Sequence, residues 1–312
     1  MRTVETVRTG YNRALHVYAT LVAGATFVLI IAGALVTGND AGLSVPDWPT
    51  SFGSFGMPRM VGGVLYEHGH RMIAATVGFL TVVLAVWLWR RESRRWVRWL
   101  GLAAVLAVIA QGVLGGITVL FYLPVPVSVG HASLAQGFFC IAVSLALFTG
   151  RDWRWDDSRF EDSSSPLLRH LAAGTTAAIF LQLMLGAAFR HNGIGIIPHI
   201  VGAAVVTVGV AWTMVRIFTR HSQERRLTRP ALLLGGLLIL QLILGIGSYL
   251  MRLEAQSAPQ PLQPVVGITT AHVAIGALVL AASLVLTLFT YRLTTAAGGA
   301  PEIASAPQKA TA

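Results

Sequence analysis

The stretch EHGHRMIAATVGFLTVVLAVWLW, residues 67–89, has a histidine, His70, near its start and continues as an apolar run. The run is long enough to cross a bilayer, which takes about 20 residues of helix. A histidine ring at this depth needs a partner or a ligand, because burying it alone costs free energy. The same arrangement recurs at His131, His199 and His272. The apolar runs that follow these four histidines predict the fold, and the histidines themselves predict the function.

The composition places the chain among membrane proteins. Of its 312 residues, 54% are hydrophobic and 12% are charged, and the mean hydropathy is +0.67, well above the range of soluble domains. Strand-like alternation is absent, so helices are expected to satisfy the backbone in the bilayer. The predicted fold is therefore all-α, with eight transmembrane helices. The predicted spans are 17–37, 67–89, 98–120, 130–149, 167–190, 197–219, 230–251 and 267–291.

The net charge of +10 does not indicate nucleic-acid binding, because the basic residues fall on alternate connections between spans. Of the 23 Lys and Arg residues, all but Arg59, Arg71, Arg190 and Arg252 lie on one side of the predicted membrane. Basic loops stay in the cytoplasm. The pattern predicts a multi-pass protein of the cell (inner) membrane, in contact with the lipid bilayer. Both termini are expected to be cytoplasmic and the four histidines to lie near the outer, periplasmic side.

Matching residues recur in the two halves of the chain. His199 follows His70 by 129 positions and Gln241 follows Gln111 by 130. The spacing predicts two tandem pseudo-symmetric four-helix bundles, parallel repeats related by an axis along the membrane normal. The expected units are an N-terminal half (1–150), a cytoplasmic linker (151–166), a C-terminal half (167–293) and a disordered tail (294–312).

The two halves differ in the connection that follows their first span. Residues 38–66 form a long outer segment rich in Gly, Pro, Ser and Trp, whereas only 13 residues separate Gly186 from His199. Long loops in compact proteins are often lids or binding elements. The first half is therefore expected to handle a molecule that enters and leaves, and the second half to hold one that stays.

Two histidines on different helices of one bundle can hold a heme iron between them. We interpret His70 with His131, and His199 with His272, as two such pairs of iron ligands. For any one of these histidines, an ordinary interfacial position is the alternative. Arg71, Arg190 and His191 are weaker candidates for contacts with heme propionates, since arginine pairs well with carboxylates.

Glu67 precedes His70 by three residues, so both side chains project to one face of the second span. A carboxylate there can hold or relay a proton beside a bound ligand. The alternatives are an ion pair with Arg71 or an acid favoured by the helix dipole. His68 lies about 200° from His70 around the helix and should face the loop or the lipid interface. The second half has no acid before His199, so the two predicted heme sites are chemically unequal.

Taken in order, a set of motifs spanning nearly the whole chain resembles the heme A synthase family. The set comprises Gly33-Ala-Leu-Val-Thr-Gly38, Ala41-Gly-Leu-Ser-Val-Pro-Asp-Trp-Pro49, Glu67-His-Gly-His-Arg71, Gln111-Gly-Val-Leu-Gly-Gly-Ile-Thr-Val119, His131-Ala-Ser-Leu-Ala-Gln136, Arg190-His191, His199 and His272.

The resemblance implies oxidation of a methyl group of heme O to a formyl group, giving heme A. It implies a substrate heme between His70 and His131, a heme B cofactor between His199 and His272, and a catalytic role for Glu67. Heme O synthase as the source of substrate and cytochrome oxidase assembly as the destination are implied likewise; the electron donor is not. Some family members carry a cysteine pair in the first outer loop, but this chain has a single cysteine, Cys140, inside the fourth span.

Two other functions fit the histidine pattern. A diheme b-type electron carrier would have two equivalent hemes and no need of Glu67. A heme transporter or handover protein would have one exchangeable heme and no modified product. The unequal halves favour the enzyme.

Overall fold

The computed structural model describes residues 11–155 and 159–296. Within these ranges, eight helices are long and apolar enough to cross a membrane, which confirms the predicted all-α membrane fold. They are α1 (Arg13–Gly38), α2 (Gly63–Arg91), α3 (Arg95–Leu120), α4 (Val125–Thr149), α6 (Leu168–Arg190), α7 (Ile197–Arg220), α8 (Arg225–Glu254) and α9 (Gln263–Leu293); the short α5 (Arg151–Trp155) follows α4.

Several helices begin before the apolar run that predicts them, because polar residues continue the helix beyond the hydrocarbon. Helix α8 begins five residues ahead of the predicted span, where the Glu224 carboxylate accepts the Arg226 N–H. Ahead of α3, Glu92 accepts the N–H of Arg94, but Arg94 is itself the N-cap residue and no side chain caps that helix. Glu224 and Glu92 also form ion pairs with Arg226 and Arg94, at 2.9 and 3.0 Å respectively. A Glu-x-Arg ion pair therefore stands before both α3 and α8, and at α8 the glutamate also caps the helix.

The membrane helices pack around separate clusters of buried side chains. One cluster joins α1 to α4 and includes Leu15, Leu84 and Leu145. Another joins α6 to α9 and includes Leu168, Ile217, Leu234 and Leu286. A smaller cluster of Ile30, Phe139 and Ala277 connects α1 and α4 with α9. Close packing of this kind, rather than the hydrophobic effect, holds helices together in lipid.

The predicted linker contains regular structure. Strand β1 (Phe160–Asp162) pairs in parallel with β2 (Thr294–Ala296), so the first residues of the predicted tail form a strand. The rest of that tail, residues 297–312, lies outside the described residues. The buried Asp162 accepts the N–H groups of Ser164 and Leu168. Burial raises the pKa of Asp162, but these hydrogen bonds and the nearby His221 outweigh it and leave the pKa below its ordinary value.

Candidate functional site

Each of the four histidines packs its ring on a glycine of the preceding membrane helix. The pairs are His70 on Gly33, His131 on Gly115, His199 on Gly186 and His272 on Gly245. A Cβ added at these glycines would lie 3.1, 3.3, 2.9 and 2.9 Å from the ring Cε1 atom, in that order. A Cβ would displace the ring at Gly186 and Gly245 and would require a shift of a few tenths of an ångström at Gly33 and Gly115. Glycine therefore lets the histidine helix approach so closely, and these four residues are called here the cradle glycines.

The histidines fall into the two predicted pairs. The ring centroids of His199 and His272 are 6.3 Å apart, with the planes at 80°. Metal–imidazole bonds are about 2 Å long, so two rings facing each other across one metal ion have centres about 6 Å apart. His70 and His131 also lie close enough to interact electrostatically. The structure therefore brings the His199 and His272 rings together and places His70 and His131 near each other, and the ligand role of all four stays a prediction.

The donor set fits a heme iron rather than an all-protein metal cage. Among the described residues, no group of three or more His, Cys, Asp and Glu side chains could hold a metal ion. Two imidazoles from opposite sides are what a porphyrin iron accepts as axial ligands. The Nδ1 atoms of His70, His131 and His272 are buried without a hydrogen-bond partner. Buried polar atoms in this state call for a functional explanation.

Glu67 is buried, with 3% of its surface exposed. Its Oε1 accepts from Arg71 at 2.6 Å, and its Oε2 accepts the Val45 N–H at 2.7 Å. The ion pair named above as an alternative role for Glu67 is thus formed, and the carboxylate still lies one helical turn from His70. Both of its oxygens are engaged, which fixes the position of the carboxylate.

Arg71 connects Glu67 to the loop between α1 and α2, residues 39–62, called here the outer loop. Its guanidinium donates to the backbone carbonyls of Val45, Asp47 and Thr50 at 3.1, 2.7 and 3.0 Å. The sequence suggested a propionate contact for Arg71, whereas the structure gives it these loop partners. Arg71 and Glu67 together tie the outer loop to α2.

The outer loop also reaches α3 beside the first histidine pair. The Trp48 ring packs on Gly116, where an added Cβ would lie less than 3 Å from the ring. Gly116 is the neighbour of Gly115, on which His131 rests. His68 faces the loop, with its Nδ1 atom 2.9 Å from Ser51 Oγ. The loop therefore covers the part of the first half that holds His70 and His131.

Asp47 shapes the turn that follows Trp48. Its carboxylate accepts the hydroxyl of Thr50 and the N–H groups of Gly53 and Phe52. These hydrogen bonds lower the pKa of Asp47 to about 2, with the Thr50 hydroxyl contributing most.

Arg190 and His191 lie between the two histidine pairs. Arg190 donates to the carbonyl of Ala34, the neighbour of Gly33, at 2.9 Å. Arg190 interacts electrostatically with His272, and His191 does so with His131. Burial, and secondarily the charge of Arg190, lowers the pKa of His191. This dipeptide of the second half thus contacts the first half close to both sites.

A set of glutamines accompanies three of the four cradle glycines, and the sequence pattern indicated Gln111 and Gln241 only as repeat positions, without a role at the site and without Gln182. Gln111, Gln182 and Gln241 each stand four residues before the glycine that carries a histidine ring. Their amide nitrogens lie 3.0 Å from the His131 carbonyl, 2.8 Å from the His199 carbonyl and 3.3 Å from His272 Nε2. The spacing Gln-x-x-x-Gly, one helical turn, is a signal that could have found them.

Comparison with known proteins gives matches of one kind. Residues 59–198 match the family model COX15-CtaA, described as cytochrome oxidase assembly protein. The heme A synthase of Halalkalibacterium halodurans is 32% identical over 137 residues, which cover 43% of this chain and 44% of the relative. The heme A synthase of Symbiobacterium thermophilum is 32% identical over 176 residues, covering 54% and 57%. The chain thus spans about half the length of the curated relatives it matches.

Proposed function

Because the chain is similar to heme A synthases and carries two histidine pairs, we propose that it oxidises a methyl group of heme O to a formyl group. The product, heme A, would serve cytochrome oxidase biogenesis. In this proposal His70 and His131 hold the substrate heme, and His199 and His272 hold heme B as cofactor.

One observation carries the proposal. Two imidazole pairs stand on matching cradle glycines, but among the described residues only the first pair has a buried carboxylate, Glu67, one helical turn away and a loop folded over it. An electron carrier with two equivalent hemes has no use for this difference. An enzyme with one reacting heme and one resident heme does.

In this proposal, the protein binds the hemes, orients them and encloses the substrate heme. When bound, the heme irons would supply the redox chemistry. The glycine contacts restrict the orientation of the four imidazoles, which would hold the hemes. Trp48 and the outer loop limit the access of water to the first pair, which strengthens electrostatic interactions there. Glu67, held by Arg71 and the Val45 amide, presents a fixed carboxylate that can accept a proton or stabilise positive charge close to the first pair.

The placement of the histidines supports an orientation in the membrane. The cradle glycines Gly33, Gly115 and Gly186 all lie within about one and a half turns of the end of their helix, so the pairs share one end of the bundle. Together with the distribution of basic residues, this favours cytoplasmic termini and heme sites at the outer face. The repeated glycine contacts and the repeated Glu-x-Arg ion pairs support an origin of the two halves as tandem copies.

Partners follow from the proposed chemistry. Heme O synthase would supply the substrate, and cytochrome oxidase assembly would consume the product. Because the outer loop has no cysteine, electrons would reach the sites without a thiol pair in that loop.

The test is to express this chain together with heme O synthase and to identify the extracted hemes by mass. We expect formyl heme from the wild type and none from H70A. A control lacking the chain sets the background.

The outcomes separate the three functions. Two hemes bound without any formyl product would support the electron carrier and overturn the proposal. A single heme that transfers unmodified to an acceptor would support the transporter, again overturning it.

A further inference from the structure

The four histidines differ in how firmly the preceding helix holds them. All four rest on a glycine, but the glutamine one turn before that glycine is present in only three cases. At the fourth position, four residues before Gly33, stands Leu29. Leu29 packs against the apolar cluster of the first half and offers no hydrogen-bond donor to His70.

The second half carries the most complete arrangement. The Gln182 amide lies 2.8 Å from the His199 carbonyl and 3.0 Å from its Nδ1 atom. The Gln182 side chain fits over Gly202, one turn after His199, where an added Cβ would collide with Oε1. The histidine thus rests on a glycine of α6, and the glutamine of α6 rests on a glycine of α7.

The other histidine of the second half repeats this reciprocal contact. The Gln241 amide lies 3.3 Å from His272 Nε2. A Cβ added at Gly276, four residues after His272, would lie 3.1 Å from the same amide nitrogen. Both ligands of the second pair are therefore held by a glycine and a glutamine.

The first pair is held less completely. The Gln111 amide donates to the His131 carbonyl at 3.0 Å, whereas His70 has the glycine contact alone. A ligand whose helix is tied in place loses less conformational freedom on binding and releases the metal more slowly. Loss of an outer-shell partner typically costs about 10–100-fold in metal affinity.

We propose that Gln111, Gln182 and Gln241 are positioning residues for the heme-ligating histidines, and that the leucine at position 29 makes His70 the ligand that releases when heme is exchanged. The inference rests on the proposed function and deepens it. The second half retains its heme through two doubly held ligands. The first half exchanges its heme through the His70 side, under the outer loop.

The test compares heme retention in the purified, heme-loaded protein. Transfer of heme to excess apomyoglobin is followed by absorbance, and the low-spin signals of the two sites are followed by electron paramagnetic resonance. In the wild type, the heme of the first half is expected to leave first.

Substitutions then move the two rates in opposite directions. L29Q should slow loss from the first site by about tenfold, and Q182L should speed loss from the second by about tenfold. L29M and Q182M keep the side-chain length without an amide; L29M should match the wild type, and Q182M should match Q182L. If Q182L folds poorly, Q182M still tests the loss of the amide, and L29M shows whether a change of side-chain shape at position 29 alone alters heme loss.

Failure of the inference is distinguishable from failure of the proposed function. If two hemes bind and formyl heme forms, but L29Q and Q182L leave both rates unchanged, the positioning role is wrong and the enzyme assignment stands. A wild type that releases the second-half heme first would also overturn the inference. A chain that binds no heme would overturn both.

Discussion

The two halves hold their histidine pairs on the same glycine cradles but surround them differently. In the first half, residues 39–62 fold over the pair, tied down by Arg71 and by Trp48 on Gly116. In the second half, residues 191–196 connect α6 to α7, and glutamines contact both histidines. The glycine contacts common to both pairs give the four histidines similar surroundings on one side, whereas the loop and the glutamines make the two sites different.

Under the proposed function, the difference suggests a division of labour between the two halves. A buried ion pair and the outer loop lie around His70 and His131, where the proposed substrate would be enclosed and then released. Glutamine amide contacts lie around His199 and His272, where the proposed cofactor would stay. Function in such a fold lies in the residues added to the scaffold rather than in the scaffold itself.

The largest effect is expected at Glu67. E67Q keeps an oxygen for the Val45 N–H but removes the charge that pairs with Arg71. Loss of a catalytic acid or base typically costs about 10²–10⁴-fold, so formyl heme should fall at least 100-fold while both hemes remain bound. E67A should behave alike, with unconverted or half-oxidised heme accumulating. Heme extraction and mass spectrometry measure both quantities.

E224Q is the matched control, because Glu224 also forms an ion pair with an arginine but at the opposite end of its helix from the cradle. It should convert heme normally. Normal heme A output from E67Q and E67A would show that the carboxylate beside the first histidine pair is not what makes the two halves function differently.

A second prediction concerns the shared feature, the cradle. G245A places a Cβ 2.9 Å from His272 Cε1 and must shift the ring. Overpacking of this kind typically costs about 1–3 kcal/mol, which corresponds to about 5- to 150-fold weaker binding at the second site only. The low-spin signal of that site should weaken or move.

G236A lies on the same helix, where an added Cβ meets nothing within 4 Å, and should leave both signals unchanged. G115A and G112A form the equivalent pair on α3. If G245A and G236A had the same effect on the low-spin signal, the contact of His272 with Gly245 would not determine how the histidine binds heme.

Much of this architecture could be predicted from sequence. Apolar runs about 20 residues long gave the eight helices because spanning a bilayer is a length requirement. The histidine pairs were predicted from spacing, since helices that begin on one side share one depth. The contacts of the glycines and glutamines with the histidines could not be predicted, because they depend on which helix faces which, and periodicity within one helix does not contain that information. The recurring Gln-x-x-x-Gly spacing could at most have indicated which residues to consider. Trp48 was missed as a contact for the same reason, since the path of a long loop is set by tertiary packing.

A third prediction tests whether the outer loop shields the first histidine pair from solvent. W48A removes the ring that packs on Gly116 and should open the first site to solvent and to small reductants. The heme of the first half should be reduced faster by dithionite and lost faster to apomyoglobin, with the second half unaffected.

W212A removes a tryptophan that is 48% exposed on the lipid-facing side of α7 and should change neither rate. G116A should reproduce W48A, because the added Cβ displaces the same ring. Equal acceleration at both sites would mean that the loop does not cover the first pair selectively.

The smallest effect is expected at Asp47, which acts on the turn of the outer loop rather than on the site. Its pKa, lowered to about 2 by the Thr50 hydroxyl and the Gly53 and Phe52 N–H groups, means that the charged form stabilises the folded loop. That stabilisation is fully present above the ordinary pKa of 3.8 and is lost as the pH falls through about 2.

Amide hydrogen exchange at Phe52 and Gly53, corrected for the intrinsic rate at each pH, should show protection that declines between pH 4 and pH 2. D47A should lack this pH dependence and show low protection throughout, with a smaller increase in first-site heme loss than W48A. Unchanged protection in D47A would show that Arg71 and Trp48 alone order the loop, and would confine the difference between the halves to those two contacts.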